Sequence, residues 1–435
     1  MSMLSIYADN LVVCYYSEYM KILKQFPNVG VEVQTDRVGK IDLLHFKKVG
    51  EPFSLQLIFD FGAFVEDKKG SAHFLEHMLV SGTEKYRTKK ELADEFDKRG
   101  CYKNAWTGPY SLALTQDNND IEDLDFSLGM LEQFVFHSIF DNAVLENERN
   151  VIFDEISMTE KEKGKTSYYA FMKVLFPGTA FEIDVKGTRE SLAGITKADL
   201  LATRESLMRS RKVLVTTGDF DLSEISTKAS AFLENLSKYD NTLQPTSKII
   251  AQTGEFTVEH PLKVSGIGVF FDRTIYGNIK KEAIIGFLGD LLFGQNGLLI
   301  EKLRFEKGLT YAVRSETACT QRLDYWGVFV ESAPENIPKV KEIINQIVFS
   351  EIYKNITVER LRDYVVKTKR KERRLYRDAE TFADEYSWEF LLNGTELVWY
   401  DEYLDILEKI SPAEIVLLAK EIFKVEGQTV VVFKA

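Results

Sequence analysis

The 435-residue chain carries the same order of strands and helices twice. Strand-like alternation at Phe53–Phe61 precedes a helical pattern at Gly70–Val80, and a strand at Ser265–Phe271 precedes a helix at Lys280–Phe293. Some residues agree as well, since HFLEHMLVSG (73–82) aligns with GFLGDLLFGQ (286–295). Buried helices resemble one another by chance, but the shared order of elements favours duplication. We therefore expect two homologous domains.

A polar stretch in the middle of the chain predicts the boundary between the two halves. Residues 239–247, with the sequence YDNTLQPTS, have the composition of a turn or linker. We expect a first, metal-binding domain over residues 1–238, a linker over 239–252 and a second domain over 253–435.

Composition and charge exclude several classes of protein. A net charge of −12 is unfavourable for nucleic-acid binding, and the basic run 367–377 is more typical of a solvated helix surface. The three cysteines are odd in number and far apart, so they predict no disulfide framework. The N-terminus lacks a signal-peptide pattern, and no stretch approaches the ~20 apolar residues of a membrane span. These features predict a cytoplasmic protein with no nucleic-acid or membrane partner.

Two of the five histidines lie four residues apart in His73-Phe-Leu-Glu-His77. On a helix these positions share one face, so both imidazoles can reach one metal ion. Glu76 lies beside that face, where a carboxylate can take a proton from a metal-bound water. Ser71 is a candidate cap for the start of the helix. The aligned second half lacks this set and has in its place Gly286, Gly289 and Asp290.

A catalytic zinc ion requires a third protein ligand and an open position for water. The acidic segment 146–162 has the pattern of an amphipathic helix, and most of its glutamates are expected to face solvent. Glu148 and Glu155 are seven residues apart, or two helical turns, and share a partly apolar face. That face makes both carboxylates candidates for the metal site.

The segment GSAHFLEHMLVSGTEKY (70–86) resembles the signature of the M16 metallopeptidases, the inverzincin family of pitrilysin and the mitochondrial processing peptidase. In that family the third ligand is a glutamate in a later helix of the form E-R-x-V-I-x-x-E, which residues 148–155 match. The resemblance implies Glu155 as the third zinc ligand and Glu148 as the acid that orients a ligand histidine. It also implies an α+β fold of two homologous domains, each a mostly antiparallel sheet covered by helices (LuxS/metallopeptidase-like).

Other family landmarks follow in order along nearly the whole chain. Asn104-Ala105-Trp106-Thr107 resembles an edge strand that lies against bound peptide, and Arg304 and Tyr311 resemble a substrate-contacting pair from the opposite domain. Without the family, Asn104 is typical of a turn, Arg304 of a surface cation and Tyr311 of a half-buried aromatic. The chain departs from the family pattern at Gly108–Thr115, where we expect the substrate edge to differ.

These residues predict a zinc-dependent metalloendopeptidase that cleaves short or unfolded peptides, with Glu76 as general base on a zinc-bound water. The resemblance implies a homodimer, or a heterodimer with a related chain, while one chain folding both domains around a single site is equally open. The alternative is a non-catalytic peptide-binding or scaffold subunit, against which the retained Glu76 argues. Ligand type alone does not distinguish zinc from manganese or cobalt.

Overall fold

The computed structural model describes residues 20–118, 120–244, 248–260 and 264–435, apart from the side chains of residues 163 and 372–375. The expectation about a signal peptide falls on the first 19 residues and, with Cys14, lies outside the described part of the chain.

The first half contains a sheet and a set of covering helices. Its strands are β1 (Lys21–Phe26), β2 (Val31–Val38), β3 (Ile41–Lys48), β4 (Ser54–Phe59), β5 (Tyr102–Thr107), β6 (Leu112–Asp117) and β7 (Lys212–Gly218). Its helices are α1 (Ser71–Leu79), α2 (Lys89–Asp97), α3 (Leu124–Phe136), α4 (Asn142–Lys161), α5 (Lys163–Leu175), α6 (Arg189–Ala193), α7 (Lys197–Arg209), α8 (Leu222–Lys228) and α9 (Ser230–Leu236).

The second half also contains a sheet and a set of covering helices. Its strands are β8 (Gly254–Glu259), β9 (Gly266–Asp272), β10 (Val313–Cys319), β11 (Asp324–Glu331) and β12 (Gln428–Lys434). Its helices are α10 (Ile279–Phe293), α11 (Leu298–Ile300), α12 (Ile337–Gln346), α13 (Ile352–Asn355), α14 (Val358–Leu375), α15 (Ala379–Asn393), α16 (Tyr400–Lys409) and α17 (Pro412–Ile422). Two π-helical segments, Glu301–Glu306 and Ile347–Glu351, extend α11 and join α12 to α13.

The two sheets share one strand order. The first runs β1-β2-β3-β7-β4-β6-β5, and the second runs β8-β12-β9-β11-β10. Each contains a single parallel pair, β3–β7 in the first and β8–β12 in the second, and all its other pairs are antiparallel. The five strands from β3 to β5 thus correspond one to one with the second sheet. This correspondence confirms the predicted α+β fold of two similar, mostly antiparallel sheets covered by helices.

The position of β7 in the first sheet follows from its sequence. All seven residues of KVLVTTG are buried, because this strand lies between β3 and β4 with helices on both faces of the sheet. A continuous apolar run is typical of such a central strand. By contrast, β5 alternates between exposed and half-buried residues, as expected for the outermost strand of the sheet.

The helices that cover the outer faces are exchanged between the halves. On the first sheet, Val33, Phe46 and Val215 pack against residues of α15, which belongs to the second half. On the second sheet, Phe270 and Phe433 pack against α5, which belongs to the first half. The predicted chain limits of the domains stay a prediction, but two of the four large cores are built from both halves.

One helical run in the described residues is long and apolar enough to cross a membrane. Ile279–Glu306 has a mean hydropathy of 1.5 over an 18-residue window, and half of that window is buried. The sequence patterns predict no such run. Apolar residues of α10 and α11, among them Phe287, Leu292 and Leu299, lie in the core of the second half. Because a core helix passes the same test of length and composition, the run is weak evidence for a membrane span.

Candidate metal centre

Helix α1 begins at a tight backbone junction that only glycine fits. Gly70 has φ of +86°, and a Cβ atom there would lie 2.5 Å from the carbonyl oxygen of Lys186. The predicted cap at Ser71 is wrong, since its hydroxyl is buried without a partner in the described structure. Glu66 caps the helix instead by accepting hydrogen bonds from the backbone N–H groups of Gly70 (2.8 Å) and Ala72 (2.9 Å).

Burial of Glu66 changes the pKa of its carboxyl group. Desolvation raises the pKa of this carboxyl to about 7, although the two backbone hydrogen bonds oppose the shift. Glu66 thus fixes the entry of the chain into α1 with a group that titrates near neutral pH.

The two histidines of α1 lie on one face of the helix. Their ring centroids are 4.7 Å apart. Together with Glu76 they form a group in which one possible ligand atom from each residue lies within 4.8 Å of the other two. Burial, with smaller contributions from His77 and Lys186, lowers the pKa of His73 to about 3. His73 is therefore a neutral imidazole, which is the form that binds a metal.

Helix α4 brings Glu155 opposite both imidazoles. One carboxylate oxygen lies 3.6 Å from His73 Nε2, and the other lies 3.5 Å from His77 Nε2. These distances are too long for hydrogen bonds. Ligand atoms arranged tetrahedrally at about 2.0–2.1 Å from zinc lie about 3.3–3.4 Å from one another. The two distances from Glu155 to the imidazoles are therefore close to those between ligands that share one ion.

Glu148, two turns before Glu155 on α4, fixes the orientation of His77. Its Oε2 atom lies 3.0 Å from His77 Nδ1, and Lys89 Nζ approaches both carboxylate oxygens at 2.7 Å. Burial favours the neutral acid, but the hydrogen bonds from His77 and Lys89 outweigh it and lower the pKa of Glu148. An ionised carboxylate only accepts hydrogen bonds, so His77 Nδ1 carries the proton and Nε2 keeps its lone pair for a metal.

Glu76 is held beside the three candidate ligands by a strand residue. Thr107 at the end of β5 donates a hydrogen bond of 2.8 Å to Glu76 Oε2. Burial raises the pKa of Glu76, while Thr107 and His77 partly oppose the shift. A carboxylate whose pKa is raised is a stronger proton acceptor, which is the property a general base needs.

Two family models match consecutive parts of the chain. The model for Insulinase (Peptidase family M16) matches residues 47–182, which include every residue of this centre. The model for the Peptidase M16 inactive domain matches residues 194–365. The chain belongs to peptidase family M16.

Relatives of this M16 chain include proteins named as zinc proteases. An "Uncharacterized zinc protease" of Rickettsia bellii is 24% identical over 392 residues, which are 87% of this chain and 92% of that protein. The mitochondrial-processing peptidase subunit beta of Blastocladiella emersonii is 28% identical over 174 residues, or 38% of this chain and 36% of that subunit.

A solved structure has the same fold as this M16 chain. The crystal structure described as a peptidase M16 inactive domain from Pseudomonas fluorescens has a TM-score of 0.79 and 16% identity, covering 92% of this chain and 97% of that one. At this identity the likeness shows the fold alone. Sequence and fold together place the protein among zinc-protease-like members of family M16.

The predicted substrate edge lies next to the metal centre of the M16 chain. β5 pairs with β6 and is the last strand of its sheet. Ala105 packs against the core of the first half, on the side of the sheet that α1 covers. Asn104 lies on the opposite side, where it lines a cavity together with residues of α15.

The second-half pair, Arg304 and Tyr311, lies on the surface. The Arg304 guanidinium stands 4.7 Å from the centre of the Tyr311 ring, and Tyr311 is 83% exposed. Within the described residues, neither side chain makes a hydrogen bond or ion pair with the metal-centre residues of the same chain. Their role in substrate binding stays a prediction.

Several residues that shape the centre had no role in the sequence analysis. Lys89 neutralises Glu148, and Thr107 orients Glu76. Arg149 donates hydrogen bonds to the carbonyls of Leu192 and Ile195, which ties α4 to the segment around α6. Thr107 is the last residue of the Asn104–Thr107 segment, but its hydrogen bond to Glu76 joins residues that are 31 positions apart in the sequence. No local pattern indicates such a contact.

Proposed function

We propose that this M16 chain is a zinc-dependent endopeptidase that cleaves short or unfolded peptides. The observation that carries the proposal is the position of Glu76, which a zinc ion does not need as a ligand. It lies beside His73 and His77, close enough to Glu155 for the two carboxylates to interact, and Thr107 anchors one of its oxygens. A site that only stored metal would have no use for a fixed carboxylate with a raised pKa.

Different residues are proposed to bind the metal and to transfer the proton. His73, His77 and Glu155 would hold the ion, which supplies Lewis acidity that polarises a carbonyl and lowers the pKa of water. Thr107 donates a hydrogen bond to Oε2 of Glu76, which leaves Oε1 as the better placed oxygen to take the proton from the attacking water. Glu76 then returns this proton to the nitrogen of the leaving amine, so that one carboxylate acts first as base and then as acid.

The substrate is proposed to bind in extended form along β5. The outer edge of β5 offers main-chain N–H and C=O groups to a peptide, and such pairing binds many sequences because it uses backbone atoms. A strand of this kind selects unfolded segments, since a folded substrate rarely presents a free extended backbone. Because Thr107 at the end of β5 is hydrogen-bonded to Glu76, a peptide paired with β5 would have its scissile bond next to the general base.

Arg304 and Tyr311 are proposed to complete the site from another chain. Both are exposed, and their only ring or charge contacts in the described residues are with each other and Phe305. A dimer in which the second half of one chain faces the first half of the other would give each metal centre such a pair. A homodimer and a heterodimer with a related chain are both proposed forms, and the cytoplasm is the proposed location.

Cleavage of a pool of unstructured peptides, read by mass spectrometry, tests the proposal. Wild type is expected to cleave, and Glu76→Gln is expected to keep its fold and metal while losing activity by a factor of about 10²–10⁴. Metal content by mass spectrometry and urea midpoints serve as controls. Equal cleavage by both proteins would refute the role of Glu76, and no cleavage by metal-loaded wild type would favour the peptide-binding or scaffold alternative.

Reconstitution of the metal-free protein determines the native metal. The two imidazoles and one carboxylate fit zinc, but the same ligands also accept manganese or cobalt. Zinc is expected to restore cleavage at the lowest free concentration. A lower requirement for manganese or cobalt would contradict the assignment of zinc and leave the roles of the side chains unchanged.

A further inference from the structure

A large cavity lies in the second half, away from the candidate metal centre. Its volume is about 930 Å³, which is within the range of pockets that bind small molecules. It opens between α10 and the helices α14, α15 and α16. Its walls are rich in aromatic rings, with six tyrosines among the lining residues: Tyr276, Tyr364, Tyr376, Tyr386, Tyr400 and Tyr403.

The cavity occupies the position that corresponds to the metal centre of the first half. Helix α10 lies between β9 and β10 in the chain, as α1 lies between β4 and β5. In the alignment of the two halves, Gly286 stands in the place of His73 and Gly289 in the place of Glu76. A Cβ atom at Gly286 would lie 2.7 and 2.8 Å from the hydroxyls of Tyr364 and Tyr403. A Cβ atom at Gly289 would meet nothing within 4 Å. Gly286 therefore lets two tyrosine hydroxyls approach the helix closely, and Gly289 leaves open space beside it.

Negative charge predominates in the described lining of this cavity. Five of the lining residues are acidic and two are lysines. One of the lysines, Lys367, is paired with Asp290. Burial raises the pKa of Glu389, and the neighbouring carboxylates of Glu282 and Glu385 raise it further. Carboxylates that raise one another's pKa are stabilised by a cation placed among them.

A second, independent feature points to a ligand with a hydrogen-bond acceptor. Trp326 on β11 lines the cavity and is 1% exposed. Its indole N–H is buried and has no acceptor among the described residues. A buried donor without a partner is costly, so an acceptor supplied by a ligand stabilises the site.

We infer that this cavity binds a lysine-type amino-acid unit, either free or within a peptide. The ammonium group lies among Glu282, Glu385 and Glu389 and against tyrosine faces, which attract cations. A carbonyl of the same unit accepts the hydrogen bond from Trp326. The site needs no metal and takes no part in the proposed hydrolysis, so it is independent of the peptidase function.

Calorimetric titration of the full chain in EDTA tests this binding without the metal centre. The probes are free lysine, Nα-acetyl-lysine methylamide and the uncharged analogue Nα-acetyl-norleucine methylamide. The blocking variant is Gly289→Leu, because an added side chain there enters the cavity without a backbone clash, and leucine favours a helix more than glycine does. Gly129→Leu in α3 is the matched control, since Gly129 is also within a helix with nothing near an added Cβ.

Saturable binding of either lysine probe, weakened at least about tenfold by Gly289→Leu and unchanged by Gly129→Leu, would support the inference. The stronger of the two lysine probes would then identify a free amino acid or a peptide residue as the source. Equal binding of the norleucine probe, binding that survives Gly289→Leu, or no binding of either lysine probe would overturn it.

Discussion

Glu148 Oε2 lies 3.0 Å from His77 Nδ1, and the same carboxylate is held by Lys89 at 2.7 Å. This relationship fixes both the ring orientation and the tautomer of a candidate metal ligand. The carboxylate is itself buried, with Glu148 only 4% exposed, so solvent does not compete for its hydrogen bonds. The affinity of the centre for metal therefore depends on a residue that does not touch the ion.

Glu148→Gln is expected to weaken zinc binding by about 10–100-fold. The amide can still accept one hydrogen bond, but it loses the negative charge that keeps the proton on His77 Nδ1 and pairs with Lys89. Competition with a zinc-binding dye measures the affinity. Glu160→Gln, an exposed position on the same helix, is the control, and an equal affinity for both variants would refute the orienting role.

Thr107→Val is expected to lower kcat by about 10–100-fold, the usual effect of a hydrogen bond to a charged group. Valine keeps the shape and strand preference of threonine but leaves Glu76 Oε2 without its donor. Zinc affinity is expected to remain unchanged, because the Thr107 hydroxyl donates its hydrogen bond to the proposed base and not to a candidate ligand. Thr257→Val, at an exposed position on β8 in the second half, is the control, and equal activity of both variants would contradict this prediction.

Mixing two inactive variants is expected to restore activity if the site is shared between two copies of the chain. One variant carries Glu76→Gln and the other carries Arg304→Ala with Tyr311→Phe. Random exchange of subunits would produce heterodimers with one intact site, which gives about a quarter of wild-type activity. No recovery after verified subunit exchange would contradict a composite homodimeric site.

The stability of the first half is expected to fall in mild acid because of His45. This side chain is fully buried against Phe220, with a ring-centroid distance of 4.4 Å, and its Nε2 lies 3.0 Å from the Phe220 carbonyl oxygen. Burial lowers the pKa of His45 from 6.5 to about 4. The folded state therefore resists protonation, so stability that is present above pH 6.5 is lost as the pH falls towards 4.

The size of this effect is on the order of 3 kcal/mol for a group shifted by this much. Urea unfolding at pH 7 and pH 4.5 measures it, with His45→Gln as the comparison because glutamine does not titrate. The free energy of unfolding is expected to drop more for wild type than for the variant. Parallel losses in both proteins would assign the acid sensitivity to carboxylates elsewhere.

The grouping of the candidate metal-binding residues was largely predictable because most of its signals are local. His73, Glu76 and His77 lie within one helical turn, and Glu155 lies in a helix whose residues match the family pattern. The structure brings these side chains together, whereas their catalytic and binding roles remain to be tested. The predicted cap at Ser71 was wrong because a carboxylate five residues earlier, Glu66, folds back over the helix start. Capping rules consider the residues next to the helix start, so they do not predict a cap from a residue several positions earlier.

The duplicated order of elements followed from periodicity and the fold class from the family resemblance, and the matching strand orders confirm both. The exchange of covering helices was not predictable from the same patterns. An amphipathic helix such as α15 shows which of its faces is apolar but not which sheet that face meets. Gly268 illustrates the difficulty, since a Cβ atom there would lie 2.2 Å from the ring of Phe171, more than 90 residues earlier in the chain.

The exchange of α5 and α15 has a consequence for synthesis on the ribosome. The outer face of the first sheet stays uncovered until residues 379–399 have been made, long after the last strand of that sheet. A nascent chain, or a fragment ending near residue 238, therefore presents an apolar face that binds chaperones or aggregates. The two copies of the fold are made one after the other, but the first is not complete until most of the second has been made.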